Sequence, residues 1–386
     1  MRLRKDEWGA VKLSEVCKKT SNVDLRKQSG KFNYIDIGSI NSSAKRISEI
    51  QELDWSIASS RARQIVKKGD TLFSTVRVNL ERIAFVDKEI LNAIASTGFT
   101  VIRANEKALP EYLFYSTSSP IFIEKLCKLQ KGTAYPAVSD RIVFNEEIPL
   151  PPLEEQKQIV SLFQSIETSM EQVEDQEKKL KTLQQKLITE LLSPEPVFGT
   201  LLNINNCKAS TFGEIAECDI KYPEHSNETT RFVGLENIES GNFELQGWGE
   251  ISEGTTFTKR FAKGDILFGK RRAYLKKVAV ADFDGVCSGD ILVIRAIKNK
   301  MLQELLPFYI SSDAFMQHAV STSAGSLSPR TKWKDLSELE VSIPDLKAQA
   351  KILEVMQQIE TTVSQLKQQK TTLKNLKEKL LEEILG

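Results

Sequence analysis

Residues 151–192 read PPLEEQKQIVSLFQSIETSMEQVEDQEKKLKTLQQKLITELL, and this stretch decides the architecture. Pro151 and Pro152 set an extended approach and then a helix start, with Glu154 and Glu155 in the first turn, where the helix dipole favours acids. Beyond Pro152 neither Gly nor Pro interrupts the stretch. Ile159, Ile166, Val173, Leu180 and Leu187 fill one heptad seam position; Phe163, Met170 and Leu191 fill the other, broken by Glu177 and Gln184. Five such heptads predict a coiled-coil helix of ~60 Å at 1.5 Å per residue. The stretch from Pro344, PDLKAQAKILEVMQQIETTVSQLKQQKTTLKNLKEKLLEEIL, repeats the pattern 193 residues later. Ile352, Ile359, Leu366, Leu373 and Leu380 take the first seam, and Met356, Val363 and Ile384 the second. Lys370 and Lys377 stand where Glu177 and Gln184 stood. One helix is encoded twice.

The repeat extends outward from the helices. KKGDTLFSTVRVNL (67–80) is matched by AKGDILFGKRRAYL (262–275), TVIRA (100–104) by LVIRA (292–296), and Gly132 and Pro136 by Gly325 and Pro329. These matches keep their order, so the chain reads as a tandem duplication of a globular domain and a long helix. The predicted boundaries are 1–150 for the first domain, 151–193 for its helix, 194–206 for a linker, 207–343 for the second domain and 344–386 for the C-terminal helix. Within each domain short β-rich runs (32–37, 71–76, 82–86, 98–103; then 231–235, 265–268, 277–281, 290–297) precede a helical patch at 109–127 or 302–320. The class is α+β, strand-rich in each domain. A parallel helix pair would require the chain to return ~60 Å, whereas fourteen linker residues reach at most ~50 Å. An antiparallel coiled coil with pseudo-twofold symmetry is therefore expected, with Glu177 and Lys370 about one turn apart near its middle.

Composition describes a globular protein: 40% apolar, 27% charged, net charge +1 over 386 residues. MRLRKDEWGAVKL carries no apolar segment and no apolar run approaches membrane length, so neither signal peptide nor membrane span is expected. Five dispersed cysteines without a CxxC pair suggest thiols in a reducing cytoplasm. The neutral total conceals a gradient: residues 1–150 hold 24 basic against 18 acidic residues, residues 151–199 hold 5 against 9.

Catalytic constellations are not found. His225 and His318 lack the spacing of a metal pair or a triad. Gly264 to Arg271 imitates a phosphate loop, but Arg271 replaces the metal-binding hydroxyl and the intervening residues read as a strand. The basic clusters are more informative. Between Lys259 and Lys277 lie eight Lys/Arg against one acid. Arginine forks reach guanine edges and lysines hold phosphates, so Lys270, Arg271, Arg272 and Tyr274 are candidate DNA contacts, with Arg77 and Asn79 in the equivalent register. Lys131, Thr133 and Tyr135, and Ser326, Arg330 and Lys332, lie in loops that mix hydroxyls, aromatics and cations before each helix.

These residues resemble the DNA-specificity subunits of type I restriction–modification systems. The resemblance rests on the duplicated layout, on IPLPPLEEQKQIV (148–160), on GDTLFSTVR and GDILFGKRRAYL, and on GTAYPAVSD and AGSLSPRTKW. The second helix departs from the pattern: IPDLKAQAKIL keeps Pro344, Leu346 and Gln349 but not the double proline. The resemblance implies a non-catalytic reader in which each target recognition domain binds one half of a bipartite, asymmetric double-stranded DNA sequence. The helices would set the spacing and dock two modification (methyltransferase) subunits, which bring S-adenosylmethionine and adenine methylation. Restriction (translocase/endonuclease) subunits would bring ATP and Mg2+, leaving this chain without a cofactor. A DNA-modifying enzyme with a divergent site and a coiled-coil scaffold with protein-binding ends are the alternatives.

Overall fold

The computed structural model describes residues 3–191, 193, 196–199, 201–203, 205–219 and 229–386. Two long helices, Leu153–Leu191 and Leu346–Leu385, run where the heptads predict them. The chain divides into two compact units, Met1–Glu174 with Gln368–Gly386, and Asp175–Lys367. Each unit thus holds one globular portion, the half-helix leading out of it, and half of the other helix.

In the first unit, strand Gly9–Lys12 pairs antiparallel with Glu147–Leu150, so the globular portion closes on itself beside the helix start. A four-stranded sheet runs in the order Gln51–Asp54, Lys31–Ile35, Ala93–Ser96, Ala62–Ile65, its central pair parallel. A three-stranded antiparallel sheet runs in the order Phe99–Ile102, Thr71–Ser74, Ile83–Phe85. The second unit repeats this plan. Cys207–Thr211 pairs with Glu340–Pro344. Its mixed sheet is Gly249–Glu250, Arg231–Val233, Gly285–Cys287, Lys259–Phe261, again with a parallel central pair. Its antiparallel sheet is Ala216–Cys218, Ile291–Ala296, Ile266–Gly269, Val278–Val280. The segment between Gly264 and Gly269 is therefore a strand, as its apolar run implies.

Each helical patch breaks into two helices, Pro110–Thr117 with Pro120–Leu129, and Leu306–Ser311 with Asp313–Ser321. The break is local chemistry: the hydroxyls of Ser119 and Ser312 accept from the backbone N–H of Phe122 and Phe315, ending one helix by capping the next. The stretch read as a linker, 194–206, lies partly outside the described residues. Among those described, Phe198 N–H donates to Leu202 O at 2.8 Å, and Leu202 is buried in the second unit's core.

The motifs shared by the two halves are largely structural. Gln156 is fully buried and satisfies three backbone groups: it accepts from Leu109 N–H (2.8 Å) and donates to Lys107 O (3.1 Å) and Pro151 O (2.9 Å). Gln349 does the same with Leu302, Lys300 and Pro344 at 2.9, 2.9 and 2.8 Å. These amides latch each helix to the domain before it, which explains why a glutamine recurs at this position. Likewise Asp70 is buried and takes the Arg103 guanidinium through two bonds of 2.7 and 2.6 Å, as Asp265 takes Arg295 at 2.7 and 2.6 Å. The GD and VIRA segments are the two partners of one ion pair, its aspartate buried and its arginine partly exposed.

The helices pair antiparallel within each unit. In the first, Lys377 Nζ lies 2.6 Å from Glu167, and Lys370 Nζ 2.6 Å from Glu174. Advancing seven residues on one helix retreats seven on the other, which is antiparallel register. Ile159 and Phe163 share a core with Leu381 and Ile384 in the first unit, as Leu187 and Leu191 do with Ile352 and Met356 in the second. Of the seam residues, Ile159, Ile166, Val173, Leu187, Ile352, Ile359 and Leu366 are buried, whereas Leu180, Leu373 and Leu380 are half-buried. Lys370 meets Glu174, one turn before Glu177, whose carboxylate pairs with Lys181 at 2.5 Å. Among the described residues, no helix is long and apolar enough to cross a membrane.

Candidate nucleic-acid interface

Two chain segments far apart in sequence meet at the same place in each unit. In the first, Val76 bridges Ala137, and Arg77 N–H donates to Pro136 O at 2.7 Å. Lys131 and Ala137 exchange two backbone hydrogen bonds of 2.9 Å, closing residues 132–136 into a tight loop. Gly132 starts it at φ +100°, where a Cβ would also meet Tyr135 O at 3.3 Å. Arg77 lies at φ +49° and Glu81 at φ +49°, bracketing a 3-10 turn, Val78–Leu80, whose Val78 is buried. That left-handed backbone aims the Arg77 side chain across the loop. Its guanidinium centre sits 4.9 Å from the Tyr135 ring centroid, and Nη2 donates to Ala134 O at 3.2 Å. Asn79, Lys131 and Thr133 are exposed on the same two segments.

The second unit is built alike. Arg271 bridges Arg330, Arg272 N–H donates to Pro329 O at 2.7 Å, and Ala324 and Arg330 exchange two backbone bonds of 3.0 Å. Gly325 has φ +113°. Arg272 at φ +54° and Lys276 at φ +50° bracket the turn Ala273–Leu275. Both units therefore hold non-glycine residues in a strained conformation at matching positions, a pattern that structure tolerates chiefly at functional sites.

The second unit adds a carboxylate. Arg330 grips Asp290 through Nε (2.7 Å) and Nη2 (3.2 Å), and Arg271 Nη1 lies 3.5 Å from it. The Arg330 hydrogen bonds hold the Asp290 carboxyl below its ordinary range, helped by the charges of Arg330, Arg271 and Lys270 and opposed by burial. Arg271 Nη2 also donates to Ser328 Oγ at 3.1 Å. Arg271 and Arg330 are thus committed to protein partners, whereas among the described residues the Arg272 side chain makes a single long hydrogen bond, Nη2 to Leu327 O at 3.4 Å. Tyr274 is 54% exposed, and Ser326 and Lys332 are exposed. Lys270 is held by its backbone, between Asp290 O and Thr331 N–H, leaving its side chain half-exposed.

The structure thus gathers the residues singled out in sequence into one cluster per unit: Arg77, Asn79, Lys131, Thr133 and Tyr135; and Lys270, Arg271, Arg272, Tyr274, Ser326, Arg330 and Lys332. The wider basic run does not form one surface. Lys259 pairs with Asp219 at 2.9 Å, Lys277 donates to Leu235 O at 2.5 Å, and Lys276 pairs with Asp313 at 2.7 Å. In the first unit Arg82 serves the carbonyls of Ile37 (2.9 Å) and Ile40 (3.2 Å). Asp290 escaped the sequence reading, as did the left-handed backbone of Arg77 and Arg272: Gly98 occupies the place of Asp290 in the first unit, so no repeat marks it.

Other chemistry is sparse. Among the described residues, no group of three His, Cys, Asp or Glu is placed to hold a metal. His318 Nε2 lies 2.8 Å from Asp335 O, a structural bond, and His225 lies outside the described residues. Burial pushes the Cys17 and Cys287 thiols up to about 12, far from a thiolate nucleophile at neutral pH.

The chain as a whole is similar to known proteins of one family. The family model of the type I restriction modification DNA specificity domain matches twice, at residues 5–182 and 206–375. The chain is 26% identical over 271 residues to the EcoDI specificity subunit of Escherichia coli, covering 61% of this chain and 60% of that one. It is 25% identical to the MjaVIII specificity subunit of Methanocaldococcus jannaschii, covering 83% of this chain and 79% of that one. Among solved structures, the HsdS subunit from Thermoanaerobacter tengcongensis matches with a TM-score of 0.55 and 27% identity, over 97% of this chain and 96% of that one. A chain from a structure concerned with complex assembly and conformational transition of the type I R-M system matches with a TM-score of 0.64 and 26% identity, over 97% of each.

Proposed function

The chain belongs to the type I restriction modification DNA specificity family, and on that premise we propose that it is the non-catalytic reader of a type I restriction–modification complex. Each globular portion reads one half of a bipartite, asymmetric double-stranded DNA target. The paired helices set the distance between the halves and dock two modification subunits. Those subunits supply S-adenosylmethionine and adenine methylation, and restriction subunits supply ATP-driven translocation and cleavage with Mg2+.

One observation carries the reading: each unit stitches a strained arginine onto a hydrogen-bonded, hydroxyl-bearing loop at the same place in the repeat. Guanidinium forks presented this way suit guanine edges, while flanking lysines suit phosphates. The two clusters differ in side chains, as readers of two unlike half-sites would. Mapping methylated adenines in cells that carry this chain with its modification subunit tests the proposal. A split motif with two unlike halves and a fixed gap is the expected result. A continuous motif, or methylation indifferent to this chain, would refute it.

A further inference from the structure

The loop at residues 325–329 carries a feature that the arginine cluster does not account for. Leu327 is 88% exposed, the most exposed of the large apolar side chains among the described residues. An isolated exposed leucine is ordinary on a protein surface. This one stands on a loop tied by hydrogen bonds to two arginines. Its own carbonyl accepts from Arg272 Nη2 (3.4 Å), the Ser328 carbonyl from Arg330 Nη1 (3.4 Å), and the Pro329 carbonyl from Arg272 N–H (2.7 Å). The Ala324–Arg330 bonds close the base of the loop. Arg330 is in turn held by Asp290, so the carboxylate fixes the frame on which Leu327 stands. The tip is thus an apolar side chain on a braced loop, with Arg272, Lys270 and Lys332 on the flanking segments.

Extending the reading of this cluster as a DNA-reading surface, we infer that Leu327 is a specificity-determining residue that packs on the 5-methyl group of a thymine in the half-site read by the second unit. In the major groove, thymine is the base that offers an apolar group, and a short aliphatic side chain beside an arginine fork is the complement of a T·A pair next to a G·C pair. The first unit has Ala134 at the matching loop position and exposes Tyr135 instead, 70% accessible and stacked beneath Arg77. The two loops therefore differ in the side chain that would touch a base.

The test uses the full chain and duplexes bearing the half-site selected by it. Each thymine is replaced in turn by uracil, which removes only the methyl group, and binding is compared for wild type, Leu327→Ala and Leu327→Met. One uracil substitution should weaken wild type about fourfold, the worth of one buried methyl. The same substitution should leave Leu327→Ala unchanged, and Leu327→Met should keep part of the sensitivity. Thermal unfolding should not move, since the side chain is in solvent. A selected half-site without thymine on either strand overturns the inference, and so does equal uracil sensitivity in wild type and Leu327→Ala. If Arg272→Gly still relaxes selection in that case, the reader stands and only the leucine's role falls. If the chain selects no sequence at all, both fall.

Discussion

Replacing Arg272 by glycine separates what the residue does for the fold from what it does for a ligand. Arg272 lies at φ +54°, a conformation that costs a non-glycine residue roughly 1–2 kcal/mol and glycine almost nothing. Against that relief, glycine brings an unfolded-state entropy penalty of about 0.5–1 kcal/mol. The one side-chain hydrogen bond removed is the long, exposed contact to Leu327 O. Its backbone N–H still donates to Pro329 O, because glycine retains that donor. The terms nearly cancel, so Arg272→Gly should fall within about 1 kcal/mol of wild type in chemical denaturation. Arg272→Val also removes the fork but keeps a β-branched side chain in the left-handed region, and should destabilise by at least ~1 kcal/mol.

DNA binding should respond differently. Loss of a base-reading fork costs about 1–3 kcal/mol and relaxes one position, whatever replaces it. Both variants should therefore lose affinity for the selected site by roughly 5- to 150-fold, while only one loses stability. Arg77→Gly, from φ +49°, should behave the same way on the other half-site. Binding and selection on duplex libraries, with urea unfolding measured in parallel, decide the matter. If both glycine variants bind the selected site like wild type, the strained arginines are fold devices and not readers. Binding that falls only in proportion to stability would refute the argument equally.

Other expectations follow from the geometry. Gln349→Leu strands two carbonyls and one N–H in the core and should cost on the order of 3 kcal/mol in urea unfolding, with half-site preference unchanged in the folded protein. Asp290 has a depressed pKa, so its clamp contributes stability above the unfolded-state value of about 3.9 and loses it as pH falls through the lower folded value. The difference in unfolding midpoint between wild type and Asp290→Asn should accordingly be present at pH 6 and shrink toward pH 3; a difference that grows on acidification would contradict the clamp. Lys377→Glu faces Glu167, which also accepts from Tyr115 Oη at 2.8 Å, and should destabilise the helix pair, whereas adding Glu167→Lys should restore part of the loss. No rescue would mean that their contact carries no energy.

Much of this fold is legible in sequence because two simple periods dominate it. A seven-residue apolar repeat without Gly or Pro leaves little choice but a long helix, and its recurrence 193 residues later exposes the duplication. The site is legible in part. Charge and hydroxyl content drew attention to Arg77, Arg272 and the two loops, but sequence could not show that residues 76–77 pair with 136–137, since that bridge spans some sixty positions. Nor could it separate arginines by partner. Arg271, Arg272 and Arg330 look alike in the chain, and only the fold reveals that two of them meet Asp290. The terminal strands Gly9–Lys12 and Cys207–Thr211 are too short and too mixed in polarity to declare themselves, and they form because their partners lie directly before each helix.

The repeat also sorts the residues by what they do. Several positions kept in both halves serve folding: Gln156 and Gln349 latch the helices, Asp70–Arg103 and Asp265–Arg295 each pair a buried aspartate with a partly exposed arginine, and Gly132 and Gly325 turn the loops. Around the arginine clusters the halves differ at Asn79 against Tyr274, Ala134 against Leu327, Tyr135 against Ser328 and Gly98 against Asp290. A scaffold that bound one ligand twice would gain nothing from varying these while keeping the brace beneath them. On the proposed reading, two loops with unlike tips suit two unlike ligand halves, and the arginine kept on both, Arg77 and Arg272, would be the contact the halves share. The selected DNA should accordingly carry one G·C pair at the corresponding place in each half, and Arg77→Gly and Arg272→Gly should each relax only their own.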